Sequence, residues 1–148
     1  PIGNTRDLEW GSIVYVMGYP LGNLMVTRAI VSNPGRGNKN RFLTDALYNR
    51  GISGSPVLAI RDGVPNFEWV GMATSSAAQR IYYVKPGQKD PEYINPEATY
   101  TDDLYVDHHR AINYGVTFNV TIEAITNLLR KNSNILIRKG YKPELFFK

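Results

Sequence analysis

Short apolar runs, each closed by a glycine or proline turn, constrain this chain more than any other feature of its sequence. Residues 13–17 alternate apolar and small side chains and end at Gly18-Tyr19-Pro20-Leu21-Gly22-Asn23. Residues 25–32 are apolar and β-branched and stop at Asn33-Pro34-Gly35-Arg36-Gly37. Runs at 41–44, 56–59 and 69–74 follow, with Arg61-Asp62-Gly63 between the last two, and a sixth occupies 112–120. No helical pattern alternates with them, as a parallel sheet would require. The six runs therefore predict an all-β domain, a small antiparallel barrel or sandwich.

After Val120 the period changes. Ile122, Ile125, Leu128 and Leu129 share one face at helical spacing, and Thr121 can cap the start, so a closing helix is expected at about 121–131. Beyond it, 133–148 carries Ile135, Leu136, Ile137, Leu145, Phe146 and Phe147, an apolar tail that packs on the barrel or leads into another domain. Residues 77–111 fit neither pattern. They read as a long inserted loop rich in Tyr, Pro and Asp, and loops of that length in compact domains are functional or disordered.

Composition narrows the chemistry. With 148 residues, 43% of them hydrophobic, the chain can bury the core of one domain, and no apolar run is long enough for a membrane-spanning helix. There is no cysteine, which excludes disulfides, thiol catalysis and cysteine-held metals. The net charge of +4 is spread along the sequence, with mild clustering at Arg130, Lys131, Arg138, Lys139 and Lys142. That distribution reads as a solvated surface, not a nucleic-acid footprint. The chain opens on Pro1, not Met, and shows no signal peptide at its start, which suggests a piece of something longer.

The most chemically suggestive segment is Gly51-Ile52-Ser53-Gly54-Ser55-Pro56. A serine hydroxyl attacks only when a base takes its proton and donors hold the oxyanion that forms. Glycines on both sides allow a tight turn that exposes the hydroxyl and converges backbone N–H groups on one point. By itself the pattern equally describes a Gly/Ser hairpin turn. The nucleophile elbow of α/β-hydrolases does not fit, because Ser55 stands where glycine is needed and an apolar strand, Val57-Leu58-Ala59, follows in place of a helix.

The stretch Thr44-Asp45-Ala46-Leu47-Tyr48-Asn49-Arg50-Gly51-Ile52-Ser53-Gly54-Ser55-Pro56-Val57-Leu58 resembles the nucleophile region of the HtrA/Deg-type serine peptidases, which have the trypsin-like (chymotrypsin) fold. Further landmarks lie in the same order. Pro1-Ile2-Gly3-Asn4 with Gly11 resembles the linker into their second barrel, and Val16 to Gly22 their strand and Gly-x-Pro-x-Gly turn. Val70 to Thr74 is similar to the strand that pairs with substrate, and Tyr114 to Val120 to their last strand before the closing helix. The resemblance implies a six-stranded antiparallel Greek-key barrel with a C-terminal α-helix, the second half of such an enzyme.

Roles then follow by position. Ser53 matches the nucleophile, and its N–H with that of Gly51 the oxyanion hole. Thr74, Ser75 and Ser76 match the strand that pairs with substrate. Leu47, Ser76 and Gly115 match the walls of the pocket for the residue before the scissile bond. Leu47 stands where a trypsin carries an aspartate, so the resemblance implies cleavage after small or medium apolar residues, not Lys or Arg. Two departures stand out: Ile52 replaces the usual Asn or Asp, and Ser55 a glycine. Ile52 offers no polar contact to hold the loop, so a conditionally formed oxyanion hole is expected.

The triad's histidine and aspartate have no counterparts in this chain. Its two histidines, His108 and His109, follow Asp107 inside the 77–111 insertion and read as surface residues, not as a metal cluster or a substitute base. Asp102, Asp103 and Asp107 match no Ca²⁺ loop, and Asn119-Val120-Thr121 is a glycosylation sequon that falls, incidentally, in the last strand.

The expected function is serine endopeptidase, with polypeptide as substrate, no metal or other cofactor, and an N-terminal barrel as the partner supplying His and Asp. This chain alone is expected to be inactive. A catalytically inactive peptide-binding module is the alternative. The resemblance favours an exported or periplasmic setting and is compatible with a homo-oligomer. The insertion, with Tyr82, Tyr83, Tyr93, Tyr100 and Tyr105, is expected to cover the cleft.

Overall fold

In the computed structural model, alternate residues of the apolar runs at 13–17, 25–32 and 41–44 turn inward, as the two-residue period of a strand dictates. The structure describes residues 1–38, 40–48, 51–63, 66–86 and 104–146. Strand β1 (Ile13–Gly18) buries Val14 and Val16, β2 (Met25–Asn33) buries Ala29 and Val31, and β3 (Arg41–Thr44) buries Phe42 and Thr44. Strand β4 (Pro56–Ile60) contributes Val57, β5 (Phe67–Pro86) contributes Val70 and Ala73, and β6 (Leu104–Thr121) contributes Thr117 and Asn119.

These strands close into an antiparallel barrel in the order β1-β2-β3-β6-β5-β4. The hairpin β1–β2 pairs Ile13 with Ile30 through Gly18 with Met25, and β4 joins the other edge of β1 through Val14–Ala59. The chain then crosses from β3 to β4, and β6 returns to pair with β3 from Arg41–Val120 to Thr44–Thr117. That crossing makes the barrel a Greek key and leaves the segment between Thr44 and Pro56 free to form a loop at the barrel's end. Gly71 is needed where β5 passes Phe42. A Cβ there would sit 2.6 Å from the Phe42 ring and 2.5 Å from the Val120 carbonyl.

The chain divides into two compact units, Pro1–Ala77 with Asn113–Lys148, and Ala78–Ile112. The first holds the barrel. The second takes the C-terminal part of β5 and the N-terminal part of β6, so the flanks of the expected 77–111 loop are strand. Residues 87–103, including Tyr93, Tyr100, Asp102 and Asp103, lie outside the described residues.

A closing helix α1 (Ile122–Lys131) follows the barrel directly, with the expected cap: Thr121 Oγ1 accepts from the Ala124 N–H at 3.3 Å. Thr5 stitches the chain's beginning to this point. Its hydroxyl donates to the Val70 carbonyl at 2.6 Å and accepts from the Ile122 N–H, while its own N–H donates to Glu123. Replacing Thr121 by alanine should cost about 1 kcal/mol, read as a shift in the denaturation midpoint with an unchanged slope. At Asn132 the axis breaks into a short helix α2 (Ser133–Arg138), which leaves Ile135 and Ile137 of the apolar tail exposed. No helix among the described residues is long and apolar enough to cross a membrane.

Candidate functional site

The loop from Thr44 to Pro56 keeps the alternation of the strand it leaves. Thr44, Ala46 and Tyr48 are buried, while Asp45 and Leu47 point outward. The Asp45 carboxylate accepts from the Ile30 N–H at 2.6 Å, which fixes the exit from β3. Gly51 then adopts φ +97° and Gly54 φ +90°, conformations that L side chains rarely take. Between them Ile52 turns down into the core at 3% exposure, and Ser53 turns up into solvent.

The far side of the turn is laced to β5. The Ser55 N–H reaches back to the Ile52 carbonyl at 3.0 Å, the Gly54 N–H donates to Ala73 at 2.8 Å, and the Ala73 N–H donates to Ser55 at 2.9 Å. One residue further along β5, the Thr74 carbonyl accepts from Ser53 Oγ at 2.9 Å. Thr74 is held in turn, its hydroxyl donating to the Phe118 carbonyl of β6 at 2.8 Å. The structure thus brings Ser53, Gly51 and Thr74 together. Among the described residues nothing accepts from the N–H groups of Gly51 and Ser53.

The turn after β1 braces the loop from the other side. A Cβ on Gly18 would overlap Ser55 Oγ, and one on Gly51 would lie 2.9 Å from the Tyr19 carbonyl. Met17, Tyr19, Leu21 and Met25, around this turn, are exposed apolar side chains.

The expected pocket residues behave differently from one another. Ser75 is exposed and Ser76 half-buried, both following Thr74 on β5. Gly115, exposed at φ +62°, lies on the neighbouring strand β6. Leu47, expected at a pocket wall, is 60% exposed, and the loop residue that turns inward is its neighbour Tyr48 at 4%. The alternation Thr44, Ala46, Tyr48 is the signal that separates the two.

Tyr48 belongs to a buried polar cluster that the sequence alone does not reveal. Its hydroxyl donates to Asn119 Oδ1 at 2.5 Å, Asn119 Nδ2 donates to Thr44 Oγ1 at 3.2 Å, and the hydroxyls of Thr44 and Thr117 lie 2.6 Å apart. The Asn119 amide is wholly buried in this cluster, which leaves the sequon no accessible acceptor. Burial raises the Tyr48 phenol above its ordinary pKa, with the Thr44 and Thr117 hydroxyls offsetting part of the rise. The phenol therefore stays neutral in the fold while it ionises near pH 10 in the unfolded chain. Its stabilising share is complete below pH about 10 and is lost as pH rises toward the folded value. Alkaline denaturation should show this loss, and Tyr48→Phe should lack it.

Asp107, His108 and His109 fall on the β6 backbone in the second unit, and their side chains lie outside the described residues. Among the described residues no group of three or more His, Asp or Glu is placed to hold a metal ion. A separate cavity of about 560 Å³ lies between the 3-10 turn at Thr5–Asp7, residues 34–40 and the start of α1, and contains none of the candidate residues. No protein-family model matches the chain, and no curated protein matches it.

Proposed function

We propose that this chain carries the nucleophile-bearing barrel of a trypsin-like serine endopeptidase of HtrA type. The observation that supports this reading is the arrangement at Ser53. Its hydroxyl is exposed on a glycine-flanked turn, 2.9 Å from a strand carbonyl, beside two backbone N–H groups that no described residue accepts from.

The chemistry this geometry serves is acyl transfer. Ser53 Oγ bonds to a peptide carbonyl carbon as its proton passes to a base, and the N–H groups of Gly51 and Ser53 hold the resulting oxyanion. Collapse breaks the C–N bond, and the leaving amine takes the proton. Water then repeats the sequence to release the acid. In this reading the base is a histidine, oriented by an aspartate, from an N-terminal barrel. The outward face of β1–β2, where Ile13 pairs with Ile30 and Met17 with Val26, all four exposed, supports the docking of another folded body there.

A fluorophosphonate added to the full-length protein, followed by mass spectrometry of the peptide containing Ser53, tests the reading. An adduct on Ser53 is expected. A folded, intact protein that leaves Ser53 unlabelled overturns it.

A further inference from the structure

We infer that Tyr48 sets which side chain the site accepts before the bond it cuts, and that it restricts substrates to polypeptides with glycine, alanine or serine there. The inference rests on the peptidase reading and sharpens it by naming a substrate class narrower than the small-to-medium apolar residues that Leu47 suggested.

A side chain entering beside Ser53 would lie between the substrate-pairing part of β5 and the inner face of β6. On β6 that inner face is marked by Thr117 and Asn119, both buried. Gly115, two residues before Thr117, breaks the strand's period at φ +62° and adds no side chain to the upper end. The lower end is already occupied. Tyr48 reaches it from the loop, its hydroxyl bonded to Asn119 and close to the hydroxyls of Thr44 and Thr117. Its ring belongs to the same core cluster as Ile52 and Ala73. Those two residues directly precede Ser53 and Thr74, the partners of the 2.9 Å hydrogen bond at the site.

The ring is also hard to move. No buried side-chain nitrogen or oxygen among the described residues lacks a partner, so withdrawing Tyr48 would strip Asn119 and Thr44 of satisfied bonds. A leucine or phenylalanine of the substrate would have to displace a fixed phenol, whereas glycine, alanine or serine would demand the least space beside it. Leu47, 60% exposed, bounds no enclosed space.

The test uses full-length wild type, Tyr48→Phe and Tyr48→Ala with peptides that differ only in the residue before the scissile bond: Ala, Leu or Phe. Wild type and Tyr48→Phe, which keep the ring, should show kcat/KM at least about 10-fold higher for Ala than for Leu or Phe. Tyr48→Ala should reverse that order. Adding p-cresol to Tyr48→Ala should raise its melting temperature and restore the Ala preference, because the phenol refills the space left by the side chain. Wild type cutting equally after Ala, Leu and Phe overturns the inference, as does a folded Tyr48→Ala of unchanged preference. Should Tyr48→Ala fail to fold, Tyr48→Val and the wild-type ratio decide the matter in the same way. Ser53 labelling with fluorophosphonate is measured alongside. Unlabelled wild type overturns the peptidase reading and this inference with it, while labelled protein of the wrong preference overturns this inference alone.

Discussion

Full-length protein carrying Ser53→Ala is expected to lose peptide turnover by a factor on the order of 10⁴–10⁶ while its melting temperature barely moves. The two halves of that expectation come from one geometry. Ser53 is exposed, and among the described residues its hydroxyl makes a single hydrogen bond, to the Thr74 carbonyl. Solvent can replace that bond, so the loss of stability should stay within about 1 kcal/mol, a shift of a few degrees at most in a domain of this size. Turnover, in contrast, needs the oxygen itself. Thermal denaturation followed by circular dichroism, run beside a peptide-hydrolysis assay, separates the two effects. A variant that keeps its turnover would place the chemistry elsewhere.

Gly51→Ala should hurt both properties. The backbone there sits at φ +97°, and the new Cβ would come within 2.9 Å of the Tyr19 carbonyl and 3.1 Å of Pro20 Cα. Strain and overlap together should cost about 1–3 kcal/mol. Relief requires the loop to move away from the 18–22 turn, which carries the Gly51 N–H off the position that the proposed peptidase chemistry asks of it. Loss of one such donor costs about 10²–10³ in kcat, so slower Ser53 acylation with little change in KM is expected. Gly54→Ala is the informative comparison. Its φ of +90° brings the same kind of strain, but nothing lies within 4 Å of the added methyl. It should lose stability without the same fall in rate. Equal rates for both variants would argue that the Gly51 amide takes no part.

The barrel was legible in the sequence because its interior imposes a period of two and its turns demand glycine or proline. The runs at 13–17 and 25–32 became β1 and β2 within a residue, and Arg41–Thr44 became β3 unchanged. The reach of β5 to Pro86 and of β6 back to Leu104 was not legible. Ile81, Tyr82, Tyr83 and Val84 are all exposed, so no interior selects one face of that stretch, and without selection the period does not appear in the residues.

The site divides along similar lines. Ser53 and its glycines are neighbours in sequence, and local backbone geometry announces them. The Tyr48 cluster joins partners 71 to 75 residues apart, and no local pattern links a loop tyrosine to an asparagine on the last strand. Leu47 drew attention as the apolar residue at a position known from the resemblance, yet its direction is fixed by the alternation that buries Ala46 and Tyr48 on either side.

Ile52 has a consequence for how this loop responds to its surroundings. A conditionally formed oxyanion hole is expected of a loop whose isoleucine cannot form the polar tether of Asn or Asp. Instead its side chain is a member of the barrel core, 3% exposed. An anchor of this kind is indifferent to ionic strength and to proton concentration, but it draws on a driving force that weakens in the cold. Chilling, more than salt or acid, is therefore the condition under which the Ser53 turn should slacken first. A reactivity at Ser53 that falls on cooling more steeply than a simple activation barrier predicts would be its kinetic signature.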